Sequence, residues 1–432
     1  MSPFQFVVTG TFVAFIVIGV GVFALFGGLG GGGGIGAVTV WGTLPGEQME
    51  NLLITLRTED RELQDVQYVE KNPATYHQEL VSAMAAGTGP DLFFISHENV
   101  TLFANKVLPI PYGTVSQRAF TSAFVDEGQL FLTSQGSLAL PVLIDPLVMY
   151  WNRNLFAAAG VAEAPRYWND FLSLAPKITA HDTTPAVRRS AVALGEWRNI
   201  RNAKPILGAL MMQAGDPIVV RAQDGLLSAL GSLPEGAVES PAVSALRFYT
   251  EFANPGKVVY SWNRSLPEAQ DAFVAGDVGV YFGFASEYAA LRSRNPNLQI
   301  GVELLPQIQG NATLLTYGKL AGLAVSRTAR NPQGATSAAV RLSGRQAALA
   351  LAQQQGLPPV RRDVSPDTAG NAALGVFVQS SLIARGWPDP SPSETDAVFQ
   401  GMVESVVSGR ATPSEAVADA ARLLDQLIRT QR

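Results

Sequence analysis

Three short apolar runs alternate with two amphipathic helical patterns near the start of the chain, and this order restricts the possible folds most. Val38–Trp41, Val66–Val69 and Asp91–Ile95 predict strands, whereas Gly46–Arg57 and Ala74–Ala86 carry apolar residues at helical spacing. The order strand, helix, strand, helix, strand predicts a parallel sheet with right-handed crossovers. Ligands of such sheets bind at the carboxyl ends of the strands. We therefore predict an α/β fold with a binding site at that edge.

The N-terminal segment has no charged side chain as far as Gly46. Its apolar run Phe4–Phe26 is long enough for a helix that spans a bilayer, which takes about 20 residues. A secretory signal would have a shorter apolar region of roughly 7–15 residues after a basic start, and no Lys or Arg precedes this run. We predict an uncleaved transmembrane anchor at 1–26 and a glycine-rich linker at 27–37. The alternative is a cleaved signal, with a weak site at Gly34–Ala37.

The composition of the 432 residues excludes several classes of function and predicts two or three domains. The net charge of −5 disfavours nucleic acid as a partner, because phosphate binding needs a basic surface. The chain has no cysteine and three histidines, so disulfides are excluded and we expect no metal site and no cofactor. The H-E-x-x-H, G-x-S-x-G and P-loop motifs of common enzymes are absent.

The middle of the chain has a different pattern. Val187–Ala193 and Pro205–Ala214 are predicted as helices in a second, mostly helical unit. Strand patterns return at Val278–Phe282, Ile300–Leu304 and Leu320–Val325. The chain is therefore predicted to pass more than once between two structural units.

Five stretches match, in order, the motifs of one known family. They are Val38–Gly42; Tyr76–Leu92 (YHQELVSAMAAGTGPDL); Leu140–Pro141 with Asp145 and Leu147–Asn152; Asp271–Phe282 (DAFVAGDVGVYF) with Ser286; and Leu357–Arg362. Each motif alone has low specificity, but the ordered set spans nearly all of the chain after the linker. The chain resembles the family 1 extracellular solute-binding proteins of ABC importers, the maltose-binding-protein type. The family's usual lipid-attachment cysteine is missing, and the predicted anchor takes its place.

The resemblance implies a type II periplasmic-binding-protein-like fold, in which two α/β lobes close around a ligand at a hinge. It places 38–145 plus 272–322 in the first lobe and 146–271 plus 323–432 in the second. It also implies a monomer that delivers a carbohydrate-like ligand to ABC permease subunits. With the anchor, the expected location is the cell membrane, crossed once, with the soluble lobes on the extracytoplasmic face.

Carbohydrate binding needs flat apolar faces beside planar polar groups. The candidate ligand contacts are aromatic and polar residues at predicted strand ends, crossovers and loops. They are Trp41, Thr43, Glu47, Asn72, His97, Glu98, Asp145, Tyr150, Trp197, Trp262, Gly283, Ser286, Tyr317 and Arg361. Core packing is the alternative for each aromatic residue, and a solvated loop is the alternative for each polar one. Few of these residues are basic, so we expect a neutral sugar.

Two other functions fit the same sequence. The first is a tethered surface protein that senses or scavenges a ligand without a transporter. The second is a glycan-active enzyme, because a catalytic pair of carboxylates is defined by its spacing in space and not along the sequence. We expect a binding protein and not an enzyme.

Overall fold

A computed structural model describes residues 34–182, 186–223 and 225–430. The strands are β1 (Val38–Gly42), β2 (Val66–Glu70), β3 (Leu92–Ser96), β4 (Val107–Leu108), β5 (Leu132–Thr133), β6 (Gly136–Ser137), β7 (Leu140–Asn152), β8 (Ala180–His181), β9 (Val187–Val192), β10 (Val219–Ala222), β11 (Gly225–Ser228), β12 (Val278–Phe284), β13 (Ile300–Glu303), β14 (Thr316–Ser326) and β15 (Ala384–Arg385).

The helices are α1 (Gly46–Glu59), α2 (Tyr76–Ala85), α3 (Val100–Phe103), α4 (Gln117–Ala123), α5 (Arg153–Ala158), α6 (Asp170–Ile178), α7 (Ala203–Ala214), α8 (Pro241–Glu251), α9 (Ala269–Ala275), α10 (Tyr288–Arg294), α11 (Pro332–Leu342), α12 (Arg345–Gln355), α13 (Ala372–Leu382), α14 (Pro392–Val407) and α15 (Pro413–Thr430). Short 3₁₀ helices include Asp126–Phe131.

The first lobe is built on β1, β2, β3 and β4, completed by 140–146 of β7 and 320–326 of β14. β1 lies between β2 and β3 and is parallel to both. β14 then pairs antiparallel with β3 and with the first half of β7. The apolar face of α1 packs on this sheet through Met49, Leu52, Leu53 and Leu56, all of which are buried. The predicted β-α-β-α-β order is present, and the carboxyl ends of β1, β2 and β3 lie at one edge.

The second lobe is built on 147–152 of β7 together with β8, β9, β12 and β13. The second half of β7 pairs antiparallel with β12 and β13, and β12 is parallel to β9. α6 and α9 pack on this sheet, and α7, α8, α14 and α15 form a helical layer. Its largest buried side chains include Trp262, Tyr249, Phe171 and Phe273.

Three chain segments join the lobes. β7 and β14 each continue from one lobe into the other and pair with each other at the boundary, where Gly318 is opposite Pro146. β15 adds a parallel strand beside the start of β14, with Arg385 opposite Tyr317. We call these three connecting segments the hinge.

The strand pairing departs from the predicted lobe boundaries in two places. β12 was expected in the first lobe, but it pairs with the half of β7 that belongs to the second lobe. α11 and α12 were expected in the second lobe, but they pack on β14, β1 and α1 of the first. The reason is that β12 follows α9 back into the second sheet, and the chain returns to the first lobe only along β14. The predicted helix at 187–193 is also wrong, because Val187–Val192 is the strand β9.

Within the described ranges, the structure contains no helix that is both long enough and apolar enough to cross a bilayer. The predicted anchor at 1–26 and most of the predicted linker at 27–37 lie outside the described residues.

Candidate functional site

Three polar side chains form one hydrogen-bonded chain between the lobes, where β3 ends and β14 crosses. The Tyr317 hydroxyl donates to Glu98 Oε1 at 2.6 Å, and His97 Nε2 lies 3.2 Å from the same hydroxyl. His97 Nδ1 accepts the backbone N–H of Leu320 at 3.2 Å, which assigns the ring proton to Nε2. Burial lowers the pKa of His97, in agreement with a neutral ring. The chain fixes the Glu98 carboxylate at the carboxyl end of β3.

The pKa of the Glu98 carboxylate is influenced by charged groups from both lobes. Burial opposes its ionisation and raises its pKa, whereas the hydrogen bond from the Tyr317 hydroxyl and the positive charges of two lysines lower it. One of these lysines is Lys319 on β14, and the other is Lys204 in α7 of the second lobe. The two lobes therefore present opposite charges to the same space.

Lys204 is held by partners from the segment that follows β15. Its ammonium lies 2.8 Å from Asp389 Oδ2 and 2.7 Å from Thr395 Oγ1, and it donates to the Pro392 carbonyl at 3.1 Å. The Trp387 ring centroid is 5.4 Å from the same ammonium. These contacts occupy the three N–H donors of Lys204 and fix its positive charge beside an aromatic ring of the second lobe.

Asp145 lies in β7 at the boundary between the lobes. Its Oδ1 accepts the backbone N–H of Ser286 at 3.0 Å, and burial raises its pKa to about 6. Lys319 is opposite Asp145 in the register of β7 and β14, and its ammonium lies 3.8 Å from the ring centroid of Phe284. The predicted residues Asp145 and Ser286 are thus brought together at the hinge.

The edge formed by the carboxyl ends of β1 and β2 carries other predicted residues. Trp41 is half-buried, and the ammonium of Lys71 lies 3.7 Å from its ring centroid. Thr43 is half-buried, whereas Glu47 and Asn72 are exposed. This edge can supply an aromatic face and polar groups to a ligand.

Trp197 is half-buried on the second lobe. It lines a cavity of about 490 Å³ together with Arg198, Ile200, Arg201, Asp396 and Gln400. Asp396 and Gln400 belong to α14, the helix that also supplies Thr395 to Lys204.

Trp262 and Tyr150 lie inside the second lobe and not at the cleft. Both side chains are completely buried. Trp262 Nε1 donates to Asn199 Oδ1 at 3.1 Å, and the Tyr150 hydroxyl donates to the Phe284 carbonyl at 2.7 Å. Because their polar atoms are already paired within the core, we leave both out of the proposed site.

Gly283 and Arg361 are also placed away from ligand space. A Cβ atom at Gly283 would lie 2.6 Å from the Tyr281 ring, so this position is filled by packing. Arg361 Nε donates to Asp363 at 2.9 Å, and its Nη1 donates to the Ser343 carbonyl at 3.0 Å. These contacts make Arg361 part of the first lobe's internal structure, and both residues are left out of the site.

The sequence analysis missed Lys204, Lys319, Trp387 and Asp389. Lys204 stands one residue before Pro205 in the first turn of a helix, and Lys319 stands two residues after Tyr317, which was selected. Lys319 could have been found by extending the selected crossover at Tyr317 by two residues, whereas Lys204 lies near no selected crossover. Trp387 and Asp389 have no such signal, because only the third crossing segment brings them to the cleft.

The family to which the chain belongs follows from its sequence. The family described as "Bacterial extracellular solute-binding protein" matches residues 64–340, which is more than half of the chain. The chain therefore belongs to this family, and the resemblance stated above is confirmed. A protein of Brucella abortus (strain 2308) that is named as a binding protein is 22% identical over 356 residues, which cover 82% of this chain and 83% of that protein.

Solved structures show the same two-lobed fold. A cyclo/maltodextrin-binding protein complexed with maltotetraose is similar with a TM-score of 0.74 at 16% identity, covering 92% of this chain and 98% of the other. The cyclic alpha-maltosyl-1,6-maltose binding protein from Arthrobacter globiformis gives 0.72 at 16%, covering 91% and 99%. An ABC transporter solute-binding protein from Thermotoga lettingae bound with alpha-D-tagatose gives 0.66 at 20%, covering 91% and 100%. The two-lobed α/β fold is therefore confirmed.

Proposed function

We propose that this solute-binding protein captures an uncharged carbohydrate between its lobes and delivers it to an ABC importer. The observation that carries the proposal is the hydrogen bond between Glu98 of the first lobe and Tyr317 of the crossing strand β14, within reach of the positive charge of Lys204 from the second lobe. A ligand between the lobes contacts both of them, so its binding energy favours their closure.

The balance of charges favours a neutral ligand. Two lysines were not expected, but each faces an acid: Lys204 lies against Asp389, and Lys319 lies opposite Asp145. Mixed donors and acceptors suit sugar hydroxyl groups, which both donate and accept hydrogen bonds. The half-buried rings of Trp41 and Trp197 can stack on the apolar faces of a sugar ring. Maltotetraose and tagatose in the similar solved structures support this ligand class.

The attachment and the lobe boundaries belong to the same proposal. The apolar segment 1–26 anchors the monomer, and the linker at 27–37 presents the lobes to permease subunits on the extracytoplasmic face. From the strand pairing and helix packing, we assign 38–145 plus 319–363 to the first lobe and 146–318 plus 372–430 to the second.

Thermal unfolding of the full-length chain in a mild detergent, followed by tryptophan fluorescence, tests the ligand class. A bound sugar stabilises the folded state by mass action, by about 2.7 kcal/mol at a hundred times its Kd. We expect maltotetraose, maltose or tagatose to raise the Tm, and Glu98→Gln to reduce that rise. Glu163→Gln is the matched control, because Glu163 is an exposed acid away from the cleft. Shifts produced only by amino acids or peptides would contradict the proposal.

Membrane fractionation tests the anchor separately. The full-length protein is expected in the membrane fraction, with its N-terminal residues intact by mass spectrometry. Recovery of a soluble protein that begins near Ala37 would show that the segment is a cleaved signal. This outcome would not affect the ligand assignment.

A further inference from the structure

The hinge strand β14 has two faces, and only one of them borders the cleft. The Tyr317 side chain is directed to Glu98, at the cleft. A Cβ atom at Gly318 would instead lie 2.2 Å from Glu127 Oε2. Successive residues of a strand point to opposite sides, so Glu127 lies behind the hinge.

The segment that begins with β15 borders both sides of the hinge. Trp387 and Asp389 lie beside Lys204. Arg385, Gly386 and Pro388 line a cavity of about 370 Å³ that also borders Glu127. A cavity therefore lies on the side of the hinge that faces away from the ligand site.

Arg221 crosses between the lobes next to this cavity. It belongs to β10, and its Nη1 donates to the Leu132 carbonyl and its Nη2 to the Leu130 carbonyl, both at 2.7 Å. These carbonyls lie at the end of the 3₁₀ helix Asp126–Phe131 of the first lobe, where backbone acceptors lack helical partners. Hydrogen bonds from a charged donor are stronger than those between neutral groups. Arg221 thus fastens the second lobe to the first behind the hinge.

The base of the β10–β11 hairpin is rigid. Ile218 has a φ of 64°, which is unfavourable for a β-branched residue, and it is fully buried. The Asp216 carboxylate holds it there by accepting the N–H groups of Ile218 and Gly231, both at 2.8 Å. A strained residue that is held so firmly fixes the direction of the strand that follows. The hairpin therefore moves with the second lobe, and a change in the angle between the lobes displaces the backbone of Arg221 from Leu130.

We propose that Arg221 is a strut that holds the lobes apart and so sets the ligand affinity from behind the hinge. Rotation that narrows the cleft widens the opposite side, and this separates Arg221 from the carbonyls of Leu130 and Leu132. The proposal rests on the proposed function only in that ligand binding closes the lobes. Removal of two hydrogen bonds that closure must break is expected to tighten ligand binding by about 5- to 100-fold.

The lobe separation is measured without any ligand, by pulsed electron–electron spin resonance between two labelled cysteines. The chain has no native cysteine, so Gln78→Cys in α2 and Asp396→Cys in α14, both exposed on opposite lobes, are labelled uniquely. We expect Arg221→Ala to shift the distance distribution to shorter values. Arg221→Met keeps the apolar part of the side chain and is expected to give the same shift. This second variant tests the proposal even if Arg221→Ala does not fold stably.

Arg410→Ala is the matched control, because it removes one exposed charge from the second lobe away from the hinge. This variant should leave the distances unchanged. If the distances between the two labels are unchanged or longer in both Arg221 variants, the proposal that Arg221 holds the lobes apart is wrong. Since no ligand is present, this outcome is independent of whether the protein binds a carbohydrate.

Discussion

Glu127 is a buried acid behind the hinge that has no hydrogen-bond partner for either carboxylate oxygen. His97 Nδ1 is 3.5 Å from its Oε1, but that nitrogen already accepts the N–H of Leu320. Burial, followed by the nearby negative charge of Glu98, raises the pKa of Glu127 well above its ordinary value. We infer that Glu127 keeps its proton in the folded protein at pH values where an exposed glutamate is ionised.

This retained proton predicts how stability depends on pH. Between the ordinary pKa of a glutamate and the raised pKa of Glu127, the folded state binds one more proton than the unfolded state at this position. The free energy of unfolding therefore falls as pH rises, by about 1.4 kcal/mol per pH unit from this residue. Glu127→Gln should remove that slope, as measured by urea unfolding between pH 5 and pH 7.5. Glu47→Gln, at an exposed acid, is the control, and parallel curves for the wild type and Glu127→Gln would contradict the prediction.

Asp145 predicts a pH dependence of ligand binding. With a pKa of about 6, its carboxylate is mostly protonated at pH 5 and mostly ionised at pH 7. An ionised carboxylate accepts hydrogen bonds from sugar hydroxyl groups more strongly than a protonated one. Calorimetry with the sugar that gives the largest Tm shift should show affinity rising by roughly threefold to tenfold over this range. Asp145→Asn should flatten the curve, and an equally steep curve in that variant would show that another group titrates.

The residues of the site that the sequence could indicate are those next to a recognisable strand end or crossover. Glu98 is the second residue after β3, and Asp145 lies within a motif of the family. Lys204 and Asp389 had no such marker, although they are 2.8 Å apart in space. Their positions in the chain are 185 residues apart, so only the folded path of the third crossing segment reveals the pair.

At the scale of the elements, the local sequence pattern was sufficient to predict the strands β1 and β2 of the first lobe, but it did not predict β9 of the second lobe. The strands predicted from Val38 and Val66 agree with β1 and β2 to within one residue at each end. The sequence pattern of Val187–Ala193 predicted a helix. It forms β9 because β12 supplies a parallel partner in the sheet. Pairing between distant strands therefore outweighed the local sequence preference.

The crossing strand β14 should tolerate no side chain at Gly318. A Cβ atom there would approach Glu127 Oε2 to 2.2 Å and the Ala384 Cβ to 3.0 Å. Overpacking of this kind costs about 1–3 kcal/mol, so Gly318→Ala should lower the free energy of unfolding by that amount in urea titration. Gly113→Ala is the matched control, because no atom lies within 4 Å of the corresponding Cβ. Equal stability of the two variants would show that the hinge can adjust without cost.

At the scale of the whole molecule, neither lobe is a continuous piece of chain. The sequence predicted this discontinuity from the family resemblance, but it assigned β12 to the wrong sheet. A short buried strand carries no signal of which sheet it joins. Which sheet β12 joins depends on whether the chain after α9 pairs with the second half of β7 or crosses to the other lobe. This choice is decided by packing between residues that are far apart in the sequence.

The shared strands predict that the two lobes unfold together. β7 contributes one half to each sheet, and β14 runs beside the first half of β7 as far as the boundary, where Gly318 is opposite Pro146. Unfolding of one lobe would therefore leave half of β7 without partners and expose the backbone N–H and C=O groups of that half. We expect a single transition in scanning calorimetry, with the calorimetric enthalpy close to the van't Hoff enthalpy. Two separated transitions, or a tryptophan-fluorescence midpoint that differs from the far-ultraviolet circular dichroism midpoint, would show that the hinge strands do not couple the lobes. Glu127→Gln should move the single transition without splitting it, because the substitution changes the free energy of one position and leaves the strands that cross the hinge intact.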